Sequence, residues 1–206
     1  MNIEKLINKW TSEMSFKYSI RFSGAGGQGL IQAARMVAEA AAIYDDKNAA
    51  ESCSYGPEAR GNASRAEIII SDEAIEYPKA ERIDCLVALT QQAYDRYIND
   101  LQPEGMIVID SHIESRKPEA GYKVFSVPLL DIAAKECGKQ TMVDIVALGF
   151  FAGVNEIIKK TSIQQAILAR IPKNSEDTYM KAYDAGLSAA KKMTNRQNNY
   201  AEYNNN

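Results

Sequence analysis

The chain has 206 residues, 46% of them hydrophobic and 25% charged, with a net charge of −3 and a pI of about 5.4. That is the make-up of one medium globular domain able to bury its own core. A slightly acidic balance, with no run of Lys or Arg, excludes an electrostatic grip on nucleic acid or on an anionic membrane surface.

Taken in chain order, Ile3, Leu6, Ile7, Trp10 and Met14 recur at helical spacing, predicting an amphipathic helix over residues 1–16 ahead of the main domain. It would cap its own domain or dock on a partner. Its charged residues Glu4, Lys5 and Lys9 break the apolar core that a signal peptide needs, so a cytoplasmic protein is expected. Residues 18–22 read as a strand, 23–29 as a glycine loop and 30–44 as an Ala-rich helix. A short strand follows at 47–51, then an irregular segment at 52–62. Residues 64–71 and 83–89 read as buried strands, 91–101 as a helix, and 106–110 and 123–127 as two further strands. Pro128 suits the first turn of a helix running towards Cys137.

From residue 143 the pattern turns helical, over 143–159, 162–170 and 175–193, with Thr161–Ser162 and Asn174–Ser175 as plausible caps. The richest apolar stretch, 142–154, is interrupted by Asp144 and too short to cross a bilayer. Residues 194–206 are polar and Asn-rich, and are expected to be a disordered tail. Strands alternating with helices predict a single α/β domain over 17–193. Two strands with no helix between them, around 47–71, predict a mixed but mostly parallel sheet.

Three cysteines, Cys53, Cys85 and Cys137, are far apart and odd in number. Neither a disulfide framework nor a cluster of thiolates for iron and sulfur is indicated. The sole histidine, His112, has no second His or Cys near it and makes a poor metal ligand.

The strand–glycine loop–helix unit is Rossmann-like. It turns backbone N–H groups and a helix N-terminus towards a common point, a natural anion site. Gly24, Gly26 and Gly29 have the G-x-G-x-x-G spacing, and Glu51 lies where a dinucleotide fold would carry its ribose-binding acid. The same glycines also serve a turn that merely packs a helix tightly on a strand. Gly27 and Gln28 depart from an ordinary dinucleotide loop. The Gln28 amide can donate and accept, and so read a polar ligand group or a partner's backbone. An independent nucleotide-binding dehydrogenase stays open as an alternative on these residues, as does a non-catalytic binding module.

A second segment, SCSYGPEARGN at 52–62, has no helical or strand period and sets Tyr55, Glu58 and Arg60 among Gly and Pro. Ordering such a loop is costly, and the planar fork of Arg60 suits a carboxylate or phosphate. Glu58 and Arg60 could equally pair and pin the loop.

GAGGQG followed by SYGPEARG resembles the gamma subunit of the 2-oxoacid:ferredoxin oxidoreductases. The resemblance continues through SRAEIIISD, DCLVALTQ, Val127–Pro128, IVALG and Ile171–Pro172, and so spans roughly residues 18–193. Asn62 and Asp144 depart from the family's usual glycine and asparagine. SYGPEARGNASRAEIIISDEAIEYPKA and ALTQQAYDRYINDL bring it nearest the 2-oxoglutarate version.

The resemblance implies an enzyme complex that oxidatively decarboxylates a 2-oxoacid, joins the acyl group to coenzyme A and reduces ferredoxin. It implies alpha, beta and delta partner subunits carrying thiamine diphosphate, magnesium and iron–sulfur clusters. It assigns this chain a structural and CoA-proximal part, with no catalytic residue of its own. Gly24, Gly26, Gly27, Gln28, Gly29, Tyr55, Glu58 and Arg60 are the expected cofactor-binding residues.

Overall fold

A computed structural model describes residues 16–54, 64–115 and 121–204. The helix expected over 1–16 therefore lies almost wholly outside the described residues. Six strands form one sheet: β1 (Lys17–Gly24), β2 (Asn48–Ser54), β3 (Ser64–Ser71), β4 (Ile83–Ala88), β5 (Leu101–Asp110) and β6 (Lys123–Val127), in the order β2-β3-β1-β4-β5-β6. β1, β4, β5 and β6 run parallel, while β3 is antiparallel to both β1 and β2. The sheet is thus mixed and mostly parallel, as the sequence predicts.

Helix α1 (Leu30–Glu39) continues into a π-helical turn, Ala40–Tyr44. It is followed by α2 (Gln91–Tyr97), α3 (Leu129–Cys137), α4 (Val143–Val154), α5 (Lys160–Arg170) and α6 (Glu176–Asn204).

The period-2 rule decides the faces. Ile20, Phe22, Ala66, Ile68, Ile70, Cys85, Val87, Met106, Val108 and Phe125 lie in one buried cluster with α1 and α4. Every residue from Val143 to Ala152 is buried. A helix apolar all round must lie in the interior. Phe151 meets Phe22 edge-on at 6.1 Å between ring centroids, and Phe150 meets Phe125 at 5.5 Å. The outer side of α4 is covered by α6, and their backbones nearly touch. A Cβ on Gly186 would stand 2.6 Å from the Phe150 amide nitrogen and 2.9 Å from the Gly149 Cα.

The other sheet face splits in two. Over β4 and β5, α2 seals a smaller cluster of Leu86, Ala88, Ala93, Tyr94, Tyr97, Ile107 and Ile109. Towards β1 and β3 the buried side chains are largely polar, with Ser19, Arg21, Ser23, Glu67 and Ser71 around Ile69. Arg21 Nη2 lies 2.6 Å from Glu67 Oε1, its other arm reaches Asp100, and its guanidinium stands 4.8 Å from the Tyr97 ring centroid.

Three element ends differ from the sequence reading. The helix opening at residue 143 stops at Val154 instead of running to 159, because Asn155 turns extended and its side chain accepts from the Ile157 amide at 2.8 Å. Asn competes with the helix in this way. Helix 91–101 is cut short at Tyr97 by a 3-10 turn, and Leu101 opens β5 across a shift in register. Finally, α6 continues to Asn204, where a disordered tail was expected from residue 194. Once its earlier turns are packed, a helix gains one backbone hydrogen bond per added residue without needing an apolar face.

Candidate functional site

From β1 the chain passes through α1 to β2 on one side, and from β4 through α2 to β5 on the other. The crevice outside the carboxyl ends of β1 and β4 is therefore the topological switch point, where open α/β sheets bind ligands. Gly24 is paired with Ser64, and Ser23 with Ala88, so the glycine loop, the start of β3 and the end of β4 share one edge. Two serines staple that edge. Ser23 Oγ donates to the Ser64 carbonyl at 2.9 Å, and Ser64 Oγ to the Gly24 carbonyl at 3.1 Å.

The glycines of the loop have separate duties. Gly27 and Gly29 hold positive φ, 88° and 72°, where L side chains are strained. Gly24 is a packing glycine: a Cβ there would overlap Gln28 Oε1 and lie 2.8 Å from the Leu30 side chain. At Gly26 and Gly27 a Cβ would meet nothing within 4 Å, so this side of the loop is open. Gln28 turns its carbonyl inward, accepting from the Ala25 amide at 2.7 Å and closing the loop on itself. Gly29 caps α1 with no side-chain hydrogen bond and no acid in the first turn. The helix thus brings its positive end to the crevice with no capping side chain of its own.

One side chain near this point was not expected there. A Cβ on Gly29 would collide with the Asp144 carboxylate and lie 2.9 Å from the Asp144 Cβ. Asp144 is in the first turn of α4 and only 9% exposed. Its Oδ1 accepts from the Ile145 amide at 2.8 Å. Burial pushes its carboxyl up to about 6, against the pull of the backbone hydrogen bonds. The sequence signalled Asp144 as an acid within an apolar run and as a departure from the family's usual asparagine; its meeting with Gly29 is a tertiary fact.

Tyr55, Glu58 and Arg60 lie outside the described residues, as does Asn62. Their segment leaves the sheet at Ser54 and returns at Ser64, the partner of Gly24. The structure therefore brings Gly24, Gly26, Gly27, Gln28 and Gly29 together with Asp144 and Ser64.

The dinucleotide expectation for Glu51 is not met. β3 is inserted between β1 and β2, so Glu51 stands two strands from β1. Its carboxylate instead pairs with Arg35 at 3.2 Å and accepts from the Cys53 thiol at 3.1 Å. Burial, with Glu51 beside it, pushes the Cys53 thiol up to about 11, which favours the thiol over the thiolate at neutral pH.

The chain matches the family described as pyruvate ferredoxin/flavodoxin oxidoreductase over residues 19–191. It belongs to that family. It is 40% identical over 182 residues to the 2-oxoglutarate synthase subunit KorC of Methanocaldococcus jannaschii, an alignment covering 87% of this chain and 97% of that one. Among solved structures, it resembles the gamma subunit of a keto/oxoacid ferredoxin oxidoreductase from Geobacter sulfurreducens. There the TM-score is 0.75 at 41% identity, covering 84% of this chain and 98% of that one. The 2-oxoglutarate:ferredoxin oxidoreductase of Magnetococcus marinus, at 20% identity and TM-score 0.76, covers 85% of this chain and 31% of its own, and shares the fold.

A second polar cluster of this oxidoreductase subunit sits at the end of β5. Buried Asp110 accepts from His112 Nδ1 at 2.6 Å and from the Leu130 amide at 2.9 Å. It caps α3 from a distance, since Pro128 at that helix start offers no side-chain cap. The hydrogen bond to Asp110, and then the Asp110 charge, raise the His112 pKa above the usual value. No helix among the described residues is long and apolar enough to cross a membrane.

Proposed function

We propose that this chain is the gamma subunit of a multisubunit 2-oxoglutarate:ferredoxin oxidoreductase working in the cytoplasm. The near full-length likeness to KorC carries this reading. The complex would convert 2-oxoglutarate and coenzyme A into an acyl-CoA and CO2, and pass the two electrons to ferredoxin. Alpha, beta and delta subunits would hold thiamine diphosphate, magnesium and the iron–sulfur clusters. The thiols of this chain do not fit a cluster, for Cys53, Cys85 and Cys137 belong to three separate elements, β2, β4 and α3. What this subunit supplies is a rigid edge at which a phosphate group of coenzyme A is held. The amides of Gly26, Gly27 and Gly29 at the start of α1 support that part. Gly24 and Gln28 shape the loop, and Tyr55, Glu58 and Arg60, outside the described residues, would add polar contacts to the same ligand.

Co-purification of this chain with the candidate partner subunits, followed by 2-oxoglutarate- and CoA-dependent viologen reduction, tests the subunit reading. Activity only when this chain is present is expected. A chain that remains alone and changes no rate would sink the proposal. Within an assembled complex, Arg60→Ala is expected to raise the KM for coenzyme A about tenfold, the worth of one charge-assisted hydrogen bond of roughly 1.4 kcal/mol. Unchanged assembly and unchanged CoA kinetics would remove Arg60 from the site.

A further inference from the structure

We propose that Asp144 decides what the glycine loop accepts: a phosphate group settles at the converging N-terminal turns of α1 and α4 only together with a proton on the Asp144 carboxyl group. The inference rests on the reading of the loop as an anion site, and it adds a proton to that site.

The geometry is specific. Asp144 is nine-tenths buried, and the positive ends of two helices meet at its carboxylate, α1 through Gly29 and α4 through its own first turn. Oδ1 accepts from the Ile145 amide, and the carboxylate is also bonded by its own backbone amide. Oδ2 is the oxygen pressed against Gly29. Beside it, Gly26 and Gly27 leave the loop open to an incoming group.

A negative carboxylate already occupies the field that would draw an anion. A second negative charge placed next to it, away from bulk water, meets a repulsion that little solvent screens. Taking up one proton removes the conflict. The proton comes from solvent, the carboxylate becomes a carboxylic acid, and Oδ2–H turns from an acceptor into a donor facing the anion's oxygen. Oδ1 keeps its bond to the Ile145 amide.

The proton is available near neutrality, because burial alone already lifts this carboxyl to about 6. No charged side chain of the elements around α4 is among the causes of that shift. Arg35 and Arg170 are taken up by Glu51 and Glu39, and Lys181 by Glu136. The turn before α4, Gln140–Met142, carries no charge.

The test is calorimetric titration of the full-length chain with inorganic pyrophosphate, in wild type and Asp144→Asn, over about pH 5.5 to 8 in buffers of different ionisation enthalpy. The probe's own protonation is common to both proteins and cancels between them. Affinities within about twofold are expected at the acid end, with the wild type about tenfold or more weaker at the alkaline end, taking up about one more proton per bound ligand than the variant. Identical pH profiles and identical proton uptake would overturn the role of Asp144 while leaving the loop as an anion site. No binding by either protein at any pH would overturn the anion site itself, and the inference with it. Should Asp144→Asn fail to fold, wild type alone is titrated with sulfate, whose charge is constant over this range. Proton uptake on binding is then the supporting result, and binding without it the opposing one.

Discussion

Asp45 stands at the end of the π-helical turn and reaches across the fold to α5. Its carboxylate accepts from the Lys159 amide at 2.7 Å and from Ser162 Oγ at 2.6 Å. Ser162, read from sequence as a cap, is therefore inside the helix and serves the true cap, which comes from another element. Burial works to raise the Asp45 pKa, but the hydrogen bonds from Ser162 and Lys159 outweigh it and hold it below the usual value. The folded pKa is the lower one, so the contribution is present above the unfolded value, about 3.9, and is lost as pH falls through the folded value. Asp45→Ala is expected to cost about 1–2 kcal/mol in urea denaturation near neutral pH, and much less in acid. His112 has the opposite sign. Its folded pKa is raised, so its pairing with Asp110 stabilises below about pH 6.5 and fades as pH rises through the folded value. With one histidine in the chain, a single imidazole resonance reports this, and its midpoint is expected above that of a free histidine.

Elements meet here through glycine and through charge. On the loop, Gly26→Ala is expected to leave stability within about 0.5 kcal/mol, since nothing lies near and φ is ordinary. Gly29→Ala meets both the Asp144 carboxylate and a φ of 72°, and is expected to cost upwards of about 2 kcal/mol. Between α4 and α6, Gly149→Ala would drive a Cβ into the Tyr183 backbone, whose carbonyl carbon would be 2.9 Å away. A loss of about 3 kcal/mol or more is expected, with separation of the two helices. Under β1, Arg21→Ala leaves the buried carboxylate of Glu67 only the longer contacts to Arg65 at 3.6 Å and Ser52 at 3.5 Å, and is expected to cost about 3 kcal/mol, while the joint change Arg21→Met with Glu67→Leu recovers most of it. Thermal or urea unfolding of the four single variants and the double variant ranks these claims, and a neutral Gly149→Ala would contradict the close helix contact.

At the scale of the whole molecule, the sheet edges differ in kind. β6 closes one end, and β2, with exposed Cys53 and Ser54, closes the other beside the segment that returns at Ser64. The loop, the serine staple and the start of α1 all stand at the carboxyl edge of the sheet. A partner covering that edge would shut the crevice from water. Removal of the partner subunits is accordingly expected to weaken retention of coenzyme A by this chain, read by equilibrium dialysis of the complex against the chain alone.

What the sequence alone determined was local. The alternation in SRAEIIIS and KVFSV, bounded by turns, placed β3 and β6 to the residue. The motifs GAGGQG and SYGPEARG carried the family, because a glycine loop and its neighbouring segment are read along the chain. Tertiary structure decided the rest. The insertion of β3 between β1 and β2 depends on long-range pairing that no local pattern encodes, and it removed Glu51 from any ribose site. The early stop at Asn155 and the cap from Asp45 depend on side chains bonding where only the fold brings them. Asp144 is the sharpest case: in sequence an acid interrupting an apolar run, in space a buried carboxylate against Gly29, because two helix N-termini converge only once both are packed on the same sheet.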